Sequence, residues 1–194
     1  MQINSEPIHP VLSRIREKLS FLGTKRTVNQ KLHNNTMIYN FYTEIPPVIN
    51  MRLKIEINTR EHLHIMGFKE IPFEINTAWF SGKCAVTGYK IEELLSTKLK
   101  ALYCRKKGRD LFDMYCALTN LDIDIEKLLF CNKLHYEHAE KKPPTDKQFI
   151  INMADKLTER EYTIDIFNVL KPNTDYNPLI ACEIVREKLG IVNE

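Results

Sequence analysis

Lys98 and Arg105 are cations set where a helix should be apolar. Ile91, Leu94, Leu95, Leu99 and Leu102 recur at helical spacing, and at about 100° per residue Lys98 and Arg105 fall on or beside that stripe, while Lys100 points away. An isolated charge on a core-facing stripe is too costly, so such a cation is paired, lines a cavity, or lays its stem along the core and carries its head to water. Next along the chain come Arg105, Lys106, Lys107 and Arg109, just before Asp110 where a new helix begins. A basic turn at a helix N-terminus is a positive, amide-rich corner suited to phosphate oxygens. The plainer reading makes the run a solvated turn, Asp110 an N-cap and Asp113 its capping-box partner.

A second candidate is Glu56. In Arg52-Leu53-Lys54-Ile55-Glu56-Ile57-Asn58, strand alternation sends the apolar side chains to one face and Arg52, Lys54, Glu56 and Asn58 to the other. That row is either a solvated sheet face or a surface on which Glu56 offers a carboxylate to a nucleotide or metal. Asp122-Ile123-Asp124 has the spacing of paired metal-binding carboxylates, but Asp124 precedes Ile125-Glu126-Lys127-Leu128-Leu129 and reads as an N-cap. His62-x-His64 has no further ligand at metal-site spacing. The chain also lacks a Gly-x-x-x-x-Gly-Lys phosphate loop, a Gly-x-Ser-x-Gly elbow and a Gly-x-Gly-x-x-Gly fingerprint, which disfavours those enzyme classes.

The positioning elements follow from periodicity. Pro10 to Leu22, closed by Gly23, predicts an amphipathic helix. Residues 26 to 44 and 51 to 58 alternate as strands, with turns at Asn34-Asn35 and Pro46-Pro47, and shorter strands are expected around 70 to 75 and 84 to 87. After Gly88 the pattern is helical, at 91 to 105, 109 to 118, 124 to 137, 145 to 160 and 176 to 189. This predicts an α+β chain: an N-terminal mixed β-sheet with one flanking helix over residues 1 to 90, then a helical bundle over 91 to 194. With 194 residues and 43% hydrophobic content the chain can bury a real core, and a net charge of +3 is too mild to require nucleic acid. Five widely spaced cysteines without a Cys-x-x-Cys pair fit reduced thiols in a cytoplasmic protein, and no long apolar run predicts a membrane span.

Taken together, Lys54-Ile55-Glu56-Ile57-Asn58-Thr59-Arg60-Glu61-His62, Trp79-Phe80-Ser81-Gly82, Glu92-Glu93-Leu94-Leu95 with Thr97-Lys98-Leu99, and Lys107-Gly108-Arg109-Asp110-Leu111-Phe112-Asp113 resemble the AbiEii/AbiGii nucleotidyltransferase toxin family. The resemblance spans roughly residues 52 to 118 in matching order and spacing. It implies a polymerase-beta-like nucleotidyltransferase fold, here partial, and transfer of a nucleotide from a nucleoside triphosphate to an RNA (transfer RNA included) or protein acceptor, with magnesium. It also implies a toxin of a type IV toxin-antitoxin or abortive-infection system, with an antitoxin as partner. Carried over by position, Glu56 would stand near the metal, Lys98 would reach the triphosphate, and Arg105, Lys107 and Arg109 would hold phosphate or acceptor. Asp110 would orient the lysine or the nucleophile, supported by Asp113.

One part of the family pattern is missing. A Gly-Gly or Gly-Ser turn followed by two aspartates one residue apart belongs upstream of the Lys-Ile-Glu-Ile strand, and no such sequence precedes residue 52. The expectation is therefore a chain that starts late, with an incomplete metal site and doubtful activity alone. The competing reading is a non-catalytic module that binds nucleotide, RNA or a partner protein through the same basic corner.

Overall fold

The computed structural model describes residues 7–23, 26–31, 34–59, 63–78 and 80–192. The chain is α+β, with strands first and helices after, and it divides into two compact units, Met1–Leu63 and His64–Glu194. The change from strands to helices comes later than that division, after Tyr89.

In the first unit, α1 (His9–Lys18) opens with a proline in its first turn and runs into a single 3-10 turn, Ser20–Leu22, that stops at Gly23 with φ 88°. Its apolar face meets an antiparallel sheet of β1 (Arg26–Lys31), β2 (Asn34–Tyr42) and β3 (Asn50–Asn58), in that spatial order. Alternation along β2 puts Met37 and Tyr39 on the buried face with Leu12 of α1. Opposite them on β3 stand Ile55 and Leu53. Asn34 and Asn35, expected as a turn, are the first residues of β2, where Asn34 pairs with Lys31. The expected turn at Pro46-Pro47 does separate β2 from β3.

The second unit begins with a two-stranded antiparallel hairpin, β4 (Phe68–Asn76) and β5 (Ser81–Tyr89). Pairing is antiparallel in both sheets, where the strand segments alone predicted a mixed sheet. Strands joined by short connections return alongside one another, whereas parallel pairing needs a crossover of a dozen residues or more.

The helical part follows: α2 (Ile91–Cys104), α3 (Gly108–Asn120), α4 (Ile125–His138), α5 (Asp146–Thr158), α6 (Arg160–Ile164) and α7 (Pro178–Leu189). Asp124 caps α4 by accepting from the Lys127 amide at 3.1 Å, as its place before an apolar run predicts. Thr145 and Gln148 form a reciprocal capping box on α5. The single helix expected over 145 to 160 is interrupted at Glu159, whose backbone is extended, and α6 starts immediately after. Leu95, Leu99 and Leu102 of α2, Leu111, Met114 and Leu118 of α3, Leu128 of α4, Phe149 and Met153 of α5 and Val185 of α7 share one core.

The α3 start is held by close packing. A Cβ on Gly108 would lie 2.1 Å from the Tyr162 carbonyl oxygen of α6, so only glycine fits. Gly108→Ala should lower the stability of the chain by about 3 kcal/mol through overpacking against backbone, read as a lowered urea midpoint with unchanged slope.

Candidate functional site

The corner between α2 and α3 is built by a three-residue link. Arg105 leaves α2 in extended backbone, φ −128° and ψ 158°, and Lys107 enters α3 in extended backbone as well. That reversal brings the α2 cations over the first turn of α3. The Arg105 guanidinium grips Asp110 with two bonds, Nε to Oδ2 at 2.6 Å and Nη2 to Oδ1 at 2.7 Å. Lys98 Nζ donates to Asp113 Oδ2 at 2.6 Å and stands 3.7 Å from Asp110 Oδ1. The hydrogen bond to Asp110 raises the Arg105 pKa above its ordinary value, against the opposing effect of burial.

This settles how Lys98 and Arg105 avoid an isolated charge: both are paired across the corner. Neither acid caps α3. Asp110 is the third helical residue and no side chain of the α3 cap residue bonds its amides, while Asp165 accepts from the Arg109 amide at 3.4 Å. The capping-box reading therefore fails, because Asp110 and Asp113 turn towards cations on α2.

Exposure separates fixed parts from free ones. Asp110 is fully buried, whereas the side chains of Lys98 and Asp113 are 32% and 43% exposed. The Lys98–Asp113 pair is thus open to exchange with an arriving anion. Lys107 and Arg109 are exposed and make no ion pair among the described residues. Lys106, from the same basic run, is paired with Glu159, which raises its pKa.

Glu56 belongs to the other unit. On β3 its carboxylate lies 2.8 Å from Lys54 Nζ and is exposed. A hydrogen bond from Lys54 holds its pKa below the usual carboxylate range, with a smaller contribution from Asn34. His64 packs against Phe68 in a tilted ring contact with centroids 4.8 Å apart, while His62, Arg60, Glu61 and Trp79 lie outside the described residues.

The described side chains do not fit a divalent cation. Both Asp110 oxygens are held by Arg105, Asp113 is held by Lys98, and Glu56 faces a lysine. Nowhere among the described residues do three His, Cys, Asp or Glu side chains gather as a metal site.

Two structural groups escaped sequence reasoning. Glu93 is fully buried on α2 and accepts from the amides of Ile65 at 2.6 Å and Met66 at 2.8 Å, tying the segment before β4 to the helix. Lys156 of α5 is 2% exposed and donates to the carbonyls of Leu102 and Tyr103, capping the end of α2. Burial lowers its pKa. In sequence Glu93 stands out only within the Glu92-Glu93-Leu94-Leu95 block, whereas the buried face of α2 takes in Glu93, Leu95, Ser96, Leu99 and Leu102 and leaves Leu94 41% exposed.

The family described as nucleotidyl transferase AbiEii toxin, type IV TA system, matches residues 5–179. The chain belongs to the AbiEii family. The match takes in both the Glu56 strand and the α2–α3 corner, so the AbiEii assignment covers both units. No curated relative and no solved structure matches the chain. No helix among the described residues is long and apolar enough to cross a membrane.

The corner of this AbiEii protein makes a direct thermodynamic prediction. Arg105→Ala removes both hydrogen bonds to the buried Asp110, leaves it Lys98 at 3.7 Å, and should cost about 2–3 kcal/mol, less than a fully buried pair because the guanidinium is half exposed. In a urea-denaturation double-mutant cycle with Asp110→Ala, the double variant should lose less than the sum of the single variants, giving a coupling of about 1 kcal/mol or more.

Proposed function

We propose that the α2–α3 corner binds the triphosphate of a nucleoside triphosphate, and that this AbiEii chain serves transfer of the nucleotide to an RNA acceptor, transfer RNA included, or to a protein. The observation that carries this reading is Lys98: a partly exposed cation bridging towards two carboxylates, one buried and one open, beside the exposed Lys107 and Arg109.

Such a group can exchange partners. Lys98 leaves Asp113 for a phosphate oxygen, while Asp110 keeps Arg105 in place and holds the corner's shape. Lys107 and Arg109 add charge at the mouth, where exposed cations draw in a polyanion. Phosphoryl transfer depends mainly on positioning and charge neutralisation, so a corner of this kind contributes without forming a covalent bond to substrate. In the overall reaction an acceptor oxygen or nitrogen bonds to the α-phosphorus, the bond to the β-phosphate oxygen breaks, pyrophosphate leaves, and the acceptor proton passes to a base.

Magnesium would arrive bound to the triphosphate, as part of the substrate. Glu56 remains the acidic candidate of β3, supported by an exposed carboxylate that its lysine neighbour keeps ionised. The family supports a toxin role in a type IV toxin-antitoxin system. An antitoxin partner, a part in abortive infection and a cytoplasmic place of action are proposed with it.

The test pairs binding with transfer. By calorimetry, the chain should bind a magnesium-loaded nucleoside triphosphate, and Lys98→Ala should weaken binding at least about tenfold, the loss expected for one charge-assisted contact. Radiolabel from the α-phosphate should pass to total transfer RNA or to protein, and Lys98→Ala should abolish it. Binding that depends on Lys98 without label transfer by the wild type overturns the transferase reading and leaves a nucleotide-binding module. Absence of binding overturns both.

A further inference from the structure

The β3 strand has the makings of an interface. Among the described residues it is paired only on its β2 side, at the edge of the three-stranded sheet. It runs nine residues, Asn50–Asn58, with neither proline nor glycine, so it lacks two devices by which edges are usually protected or broken. Its apolar residues lie on the core-facing side of the sheet, yet Met51 and Leu53 are 43% and 36% exposed. Among the described residues, part of this apolar side is therefore left open along that edge.

The sequence of the strand is complementary to itself. Antiparallel pairing of two β3 strands about a two-fold axis through Ile55 sets Lys54 opposite Glu56 twice, Leu53 opposite Ile57 twice and Arg52 opposite Asn58. Moving the axis by one residue to Lys54 sets Arg52 opposite Glu56 twice but puts that lysine against itself, and moving it to Glu56 puts the glutamate against itself. Like charges directly opposite are destabilising and opposite charges stabilising, so of these three registers only the one about Ile55 has no like-charge pair. Lys54 and Glu56 are about half exposed and already form a 2.8 Å pair within the strand. In this register they complete a ring of four alternating charges.

We propose that β3 is a homodimer edge: two copies of this chain pair β3 to β3, antiparallel about Ile55, and join their sheets into one of six strands. The paired edge satisfies outward backbone groups, and the charges of Arg52, Lys54 and Glu56 act as the register lock. This inference does not rest on nucleotide binding or transfer.

Sedimentation velocity of the full chain should give a species of twice the monomer mass that dissociates on dilution. Lys54→Glu and Glu56→Lys should each raise the dimer dissociation constant about tenfold or more, because both symmetry-related pairs turn repulsive. The double variant, Lys54→Glu with Glu56→Lys, should restore the dimer. Circular dichroism should be the same for all four proteins, since both positions are exposed. A wild-type chain that stays monomeric at high micromolar concentration overturns the proposal. If its β3 amides are then slow to exchange with deuterium, another segment of the chain covers the edge, and fast exchange leaves the edge for a different protein. A dimer indifferent to the single variants, or one that the double variant fails to restore, overturns it equally.

Discussion

A buried carboxylate must have its charge answered, and in this chain Asp110 sets that demand at the junction of α2 and α3. Its two oxygens receive two guanidinium nitrogens of Arg105 in a fork-to-fork pair. The pair fixes the direction in which α2 hands over to α3. With that direction set, Gly108 can approach the α6 backbone, Lys98 falls between Asp110 and Asp113, and Lys107 and Arg109 remain at the surface. The corner is rigid where it is buried and exchangeable where it is open, a division suited to holding an anion.

Two further anchors keep α2 itself in place. Lys156 supplies donors to carbonyls at the helix's C-terminal end, and Glu93 takes two backbone amides near its N-terminal end. Both are charged groups almost wholly removed from water, and each is retained because it completes backbone hydrogen bonds that would otherwise be unmet. The lysine at the centre of the proposed site thus sits on a helix pinned at both ends. A triphosphate that recruits Lys98 would meet a prearranged partner, so little ordering is left to the moment of binding.

Much of this was legible in the sequence. The helix and strand segments follow the apolar periodicities, Asp124 caps α4 as its position implies, and the resemblance to the AbiEii family is matched over residues 5–179. Other readings failed for identifiable reasons. Asp110 and Asp113 look like capping residues because local spacing cannot reveal a cation on a preceding helix. Leu94 looks like core because it shares the leucine spacing, yet the buried face of α2 runs through Glu93, Leu95, Ser96, Leu99 and Leu102 and leaves Leu94 at its exposed margin. Strand segments predicted a mixed sheet because periodicity along one strand carries no information on the direction of its neighbour.

The sequence by itself determined the α+β class, the strand and helix order, the AbiEii family and the residue types gathered around Lys98. These are matters of local period and motif, which a linear chain records directly. Only the tertiary structure decided that Arg105 belongs to Asp110, that Lys98 belongs to Asp113, that Lys106 is occupied by Glu159, and that Glu93 and Lys156 are buried. Ion pairing depends on distance in space and on the water excluded around it, and neither is fixed until the helices pack.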